Sequence, residues 1–208
     1  MINIINMLLN ASRIELGSFN IKASEKDACA IVQSILNELK FIIDNKHIKL
    51  EATFPEKSIK LMLDESLLHM LINNLIINAI NYTAEGGEIS VECRVVNNGQ
   101  ILEWKLFEED SFAVIVSDNG YGIPKIEQDK IFTKFFRANN IKEKNTDGTG
   151  LGLYITKSIV EYSGGLIWFT SRENEGSVFC VAIPMTGMKV RADKKSFLVD
   201  QVRYITNL

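Results

Sequence analysis

Asn74, Asn78 and Asn81 stand four and three residues apart in an otherwise apolar run, so a helix there gathers three amides on one side. Asn is a poor helix former because its amide competes for backbone hydrogen bonds. Two readings of the row stay open: a solvated outer stripe, or amide groups facing a polar ligand or a hard cation such as Mg2+, which takes oxygen donors and keeps several waters. A second group, Asp118-Asn119-Gly120-Tyr121-Gly122-Ile123-Pro124, follows the apolar run at 112–117. A carboxylate at a strand exit can accept from an exocyclic amine while the glycines beyond it let backbone approach a flat ligand; a plain turn uses the same residues. The third group, Gly148-Thr149-Gly150-Leu151-Gly152-Leu153, opens a helical run. Glycines leading into a helix N-terminus leave backbone N–H groups open to an anion. No Gly-Lys-Ser/Thr follows, and the third glycine comes too early for the dinucleotide fingerprint, which also lacks its β-α-β unit here.

These residues need elements to position them, and the hydropathy pattern supplies candidates. Residues 1–16 carry an apolar stripe of Ile4, Ile5, Leu8, Leu9 and Ala11 that stops at Gly17, predicting a helix too short to stand alone. Residues 23–44 predict a second helix, with Ala28, Ile31, Val32, Ile35, Leu36 and Leu39 at three-four spacing. Strands are predicted at 48–53 and 58–63, after which Asp64-Glu65-Ser66 opens a long helix to Tyr82 with acidic residues at the positive end of its dipole. Past the turn Ala84-Glu85-Gly86-Gly87, strands are predicted at 88–96, 101–107 and 112–117, the first two separated by Asn98-Gly99. Residues 125–136 predict a short helix or turn carrying aromatics. A helix at 153–162, stopped by Gly164-Gly165, and strands at 166–171 and 177–183 complete the pattern before Pro184. The sum is an α/β two-layer sandwich: a mixed, mostly antiparallel sheet with helices on one face, plus the short N-terminal helix.

Composition narrows the classes further. The 208 residues are 46% hydrophobic and 24% charged, as in a globular domain and unlike a disordered or low-complexity chain. The most apolar helix, 67–80, is interrupted by His69, Asn73, Asn74 and Asn78, so no stretch reaches the roughly eighteen apolar residues of a membrane span. Neither a basic region nor a small-residue cleavage site opens the chain, which gives a cytoplasmic expectation. Cys29, Cys93 and Cys180 form no C-x-x-C pair and are expected as reduced, buried thiols. A net charge of −3 provides no basic field for nucleic acid.

In this order the three groups are far more specific than any one alone. The run from Asn74 to Thr83 resembles the N box of the sensor histidine kinases, Asp118 to Gly122 their first glycine box, Ile131-Phe132-Thr133-Lys134-Phe135-Phe136-Arg137 their F box, and Gly148 to Leu153 their second glycine box. The likeness continues through Ile159-Val160-Glu161-Tyr162-Ser163-Gly164-Gly165 and Gly176-Ser177-Val178-Phe179, and covers roughly residues 21–184. It implies the ATP-binding Bergerat fold shared with gyrase, Hsp90 and MutL, with nucleotide held between the helical face and a lid.

By that resemblance Asn78 is the Mg2+ ligand, with Asn74 one turn earlier, and Asp118 reads the adenine amino group. Gly120 and Gly122 lie beside the base, Tyr82 and Ile123 line its pocket, and Arg137 reaches the phosphates. Gly148, Gly150 and Gly152 hinge a lid formed by residues 138–147 and present donors to the phosphates. Phe132, Lys134, Thr149, Leu151 and Leu153 complete the nucleotide contacts that the boxes imply, and Asn74, Asn78 and Arg137 form the catalytic set. Asn81 is counted with these nucleotide contacts but stands where the family commonly has a phosphate-binding Lys. Asn74 stands where the gyrase, Hsp90 and MutL branches have a Glu that activates water. An amide is no base, which favours transfer of the γ-phosphoryl group over hydrolysis.

His47 and His69 both lack H-box surroundings, so the phosphoacceptor histidine is expected on a dimerisation domain elsewhere. The resemblance then divides the chain into residues 1–17, the end of a dimerisation-type helix; 18–187, the ATP-binding domain; and 188–208, a tail of unknown role. Its partners would be the histidine-bearing dimerisation domain and, downstream, a response regulator. The alternatives are a non-catalytic nucleotide-binding interaction module and an ATP-hydrolysing relative.

Overall fold

The computed structural model describes residues 20–138 and 149–189. The predicted helix at 1–16, residues 139–147 of the expected lid, Gly148 and most of the tail lie outside them. In chain order the elements are β1 (Ser24–Asp27), α1 (Ala28–Asn45), β2 (Lys49–Thr53), β3 (Lys60–Leu63), α2 (Glu65–Tyr82), β4 (Glu88–Val96), β5 (Ile101–Leu102), β6 (Lys105–Leu106), β7 (Ser111–Asp118), a 3-10 turn (Lys125–Lys130), α3 (Gly152–Tyr162), β8 (Leu166–Arg172) and β9 (Gly176–Pro184).

Five strands form one sheet in the order β2-β4-β7-β9-β8. Only β2 and β4 run parallel; the other three pairings are antiparallel, as expected of a mixed, mostly antiparallel sheet. Inward residues of alternating strands, Val91 and Cys93 of β4, Phe112, Val114 and Val116 of β7, Val181 and Ile183 of β9, pack under α1, α2 and α3 in a single core. Met188, at the start of the tail in the sequence division, belongs to that core and donates its N–H to Met62 O at 2.8 Å.

Helix ends follow from caps. Asp64 precedes α2, and its carboxylate accepts from Leu67 N at 3.3 Å and from Lys22 N at 2.8 Å. The expected helix at 23–44 starts later, at Ala28: Ser24–Asp27 pair as a strand with Lys60–Leu63, and Asp27 caps α1 by accepting from Cys29 N at 3.0 Å and Ala30 N at 3.3 Å. Pairing and capping together override the helical propensity of the first residues.

The predicted strand at 101–107 is instead a small hairpin, β5 against β6, turning at Glu103 with φ +56°. It crosses the face of the sheet opposite the helices and covers a second, smaller core of Val96, Leu102, Phe107, Ala113, Ile115, Trp168, Cys180 and Ala182. Phe107 meets Trp168 edge-on at 5.6 Å, and Trp104 Nε1 donates to Phe169 O at 3.5 Å on the edge strand. Strand β7 is therefore covered on both faces, which explains its unbroken apolar run. All three cysteines are free thiols.

Candidate functional site

Strand β7 sits between β4 and β9 and delivers Asp118 to the end of the sheet, in register with Ile89 and Ser177. Its carboxylate accepts the Gly120 N–H at 2.9 Å and also the Ser177 N–H. Burial nevertheless dominates and pushes Asp118 up to about 6, against the pull of those two donors. The loop beyond is held so closely that glycine is obligatory at two points. A Cβ on Gly120 would overlap the Tyr82 carbonyl, and Gly122, at φ +59°, leaves no space between its Cα and the Arg172 carbonyl.

Hydrogen bonds clamp the same loop on three sides. Tyr121 N donates to Tyr82 O at 3.1 Å at the end of α2, Asn174 N donates to Tyr121 O at 2.8 Å from the β8–β9 turn, and Asn119 Oδ1 accepts from Glu88 N at 2.8 Å at the start of β4. Ile123 N donates to Ser171 Oγ at 2.8 Å, and Gln128 Nε2 donates to Ile123 O and to Ser171 O, each at 3.0 Å.

A cleft opens between this loop and α2. Its walls are Asn78, Ala79 and Tyr82 of α2; Asp118, Ser177 and Phe179 of the sheet; Gly122 and Ile123 of the loop; Ile131, Phe136, Arg137 and Ala138; and Leu153 of α3. Apolar walls with a few convergent polar groups are what a flat, partly polar ligand needs. Burial raises the Tyr82 hydroxyl, and the Arg137 charge offsets part of that shift.

Of the residues singled out in the sequence, Asn78, Tyr82, Asp118, Gly122, Ile123, Arg137 and Leu153 line the cleft together. Gly120 stands behind it against Tyr82. Asn74 does not line it: Nδ2 donates to Thr156 Oγ1 at 2.7 Å, and the amide lies where a Cβ on Gly152 would fall. Asn81 is also off the cleft, its carbonyl 3.4 Å from Lys46 Nζ at the end of α2. Phe132 packs edge-on against Phe169 under Lys157, and Lys134 lies 5.1 Å from the centre of the Tyr154 ring. Leu151 is buried, its N–H held at 3.3 Å by Thr149 Oγ1, and Gly150 abuts the backbone of Phe135 and Phe136. Ser177, Phe179 and Phe136 line the cleft although the sequence reading assigned them no site role.

A five-stranded mixed sheet with three helices on one face, and a cleft between the middle helix and a carboxylate-headed glycine loop, defines the Bergerat class of ATP-binding domains. Residues 63–187 match the family described as histidine kinase-, DNA gyrase B-, and HSP90-like ATPase, and the chain belongs to that family. Sensor histidine kinase WalK of Bacillus subtilis is 27% identical over 184 residues, 88% of this chain and 28% of WalK. Sensor-like histidine kinase SenX3 of Mycolicibacterium smegmatis is 33% identical over 158 residues, 76% of this chain and 38% of SenX3. The chain thus spans about a third of the length of these relatives. Among solved structures, the catalytic domain of histidine kinase ThkA aligns with a TM-score of 0.62 and 27% identity, covering 79% of this chain and 96% of that one. The chain therefore contains an ATP-binding catalytic domain of the histidine kinase type. Among the described residues, no helix is long and apolar enough to cross a membrane.

Proposed function

We propose that this chain is the ATP-Mg2+-binding catalytic part of a two-component sensor histidine kinase, and that it transfers the γ-phosphoryl group of ATP to a histidine on a dimerisation domain. The observation that carries the proposal is the division of labour along α2. Asn78 faces the cleft, whereas Asn74, where a hydrolysing relative needs a base, is an amide engaged with Thr156.

The adenine amino group donates to Asp118, with the ring between Ile123 and the Tyr82 side of α2. The triphosphate extends toward Asn78, Arg137 and the glycine-led start of α3. The amide oxygen of Asn78 suits Mg2+, a cation that takes one or two protein oxygens and fills its remaining positions with phosphate oxygens and water. When bound, Mg2+ neutralises charge on those phosphate oxygens. Arg137 adds a fixed positive charge, and the apolar wall excludes water from the β–γ bond. In the transfer, an imidazole nitrogen forms the new P–N bond as the γ-phosphorus leaves its bridging oxygen, and ADP departs with the electron pair.

In this reading residues 18–187 form the ATP-binding unit, residues 1–17 end a dimerisation-type helix, and the partners are the histidine-bearing domain and a response regulator receiver domain in the cytoplasm. The test is incubation of the chain with ATP-Mg2+ and a separately supplied H-box dimerisation domain, followed by assay for acid-labile phosphohistidine. Nucleotide binding without phosphohistidine overturns the kinase reading in favour of a binding module. Steady phosphate release that survives Asn74→Ala but needs Asp118 would revive the hydrolysing alternative.

A further inference from the structure

We infer that Ser171 and Gln128, neither of which lines the cleft, are the positioning residues that set its purine selectivity. The inference rests on the reading of the cleft as an ATP site and deepens it.

Ile123 is a cleft wall only 7% exposed, and both of its backbone polar groups are held by side chains from elsewhere in the chain. Its N–H donates to Ser171 Oγ at 2.8 Å and its carbonyl accepts from Gln128 Nε2 at 3.0 Å. The same Gln128 nitrogen donates to Ser171 O at 3.0 Å, so loop, 3-10 turn and β8 close into one hydrogen-bonded ring. Ser171 Oγ continues the chain inward: it lies 2.9 Å from Gly176 O and 3.0 Å from Ser177 Oγ. Ser177 is itself a cleft wall, and its N–H donates to the Asp118 carboxylate. A single polar path thus runs from Gln128 through Ile123, Ser171 and Ser177 to the group that reads the base.

Its physical effect is on distance. The carboxylate accepts an exocyclic amine and repels a carbonyl oxygen at the same place, but only while the wall over the ring keeps it from sliding away. Ile123 is that wall, and Ser171 and Gln128 hold it. Without them the loop relaxes, an adenine loses its fit, and a 6-oxopurine finds room to avoid the carboxylate.

The experiment measures dissociation constants of the intact chain for ATP and for inosine triphosphate, which differs at the 6-position, by calorimetry. Ser171→Ala and Gln128→Leu are each expected to weaken ATP about 5- to 30-fold, the lower part of the range for one unsatisfied buried group, and to narrow the ATP preference by at least about 5-fold. Ser171→Thr keeps the hydroxyl and is expected to retain both. Gln128 holds the same loop through a separate bond to the Ile123 carbonyl, so its variant decides the matter if Ser171→Ala fails to fold. Equal losses for the two nucleotides, or no loss in a folded variant, overturn the inference. Failure of the unaltered chain to bind ATP overturns instead the reading on which it rests.

Discussion

Asn74 Nδ2 donates to Thr156 Oγ1 at 2.7 Å, joining the middle of α2 to the second turn of α3 across 82 residues of sequence. Thr156 is 2% exposed, and Gly152 stands directly against the Asn74 amide. The pair sets how closely the glycine-led start of α3 approaches the helix that carries Asn78. Asn74 is accordingly a positioning residue in this structure. Asn74→Ala strands a buried hydroxyl and should lower unfolding free energy by about 1–3 kcal/mol. Thr156→Val removes the other half of the bond. If the two residues act through one another, denaturant titration of the double variant will show a loss smaller than the sum of the single losses by about 0.5 kcal/mol or more. Strict additivity would mean that the bond contributes nothing.

Asp118 makes opposite predictions for stability and for binding. Its carboxyl titrates near 6 in the folded domain, against an ordinary value of 3.8, because burial disfavours the charge. The native state therefore binds more protons than the unfolded state between those values. Stability of the nucleotide-free domain should rise as pH falls from about 6 toward 4, and the penalty returns as pH rises through 6. An adenine amine prefers the ionised carboxylate, so ATP affinity should weaken over the same fall in pH, by no more than about tenfold per unit. Thermal melts and calorimetry across that range check the two signs. Asp118→Asn removes both dependences, and phosphate titration, common to the two proteins, cancels in the comparison.

What the sequence made legible is the part of the site whose chemistry breaks a local pattern. Asn78 interrupts an apolar helix, and Asp118 with Gly120 and Gly122 interrupts an apolar strand, so both stand out without knowledge of their neighbours. Strand β4 was readable to its ends because its alternation is clean and Asn98-Gly99 follows it. Ser171, Ser177, Gln128 and Thr156 are ordinary polar residues whose partners lie far away in sequence, 48 residues for Ile123 and Ser171, and nothing local marks them. The start of α1 is hidden for the same reason: Ser24–Asp27 suit a helix by composition but pair with β3 instead. The β5–β6 turn escaped notice because it places Glu103, not glycine, at positive φ.

The hairpin core on the outer face offers a test of how independent the fold's two faces are. Phe107 is 2% exposed, its ring against Trp168, and no residue of its cluster lines the cleft. Phe107→Ala should cost about 3–5 kcal/mol, the usual loss for a large aromatic removed from a packed site. Strand β7, however, presents Phe112, Val114 and Val116 to the helical core and Ala113 and Ile115 to the hairpin core, so it is the physical link between the hairpin core and Asp118. Asp118 is held by bonds that the hairpin does not make, to Gly120 N and Ser177 N. The expected outcome is a lower unfolding midpoint with ATP affinity unchanged within about twofold wherever the variant stays folded. A loss of affinity larger than that at temperatures well below the midpoint would show that the hairpin, through β7, also tunes the position of the carboxylate.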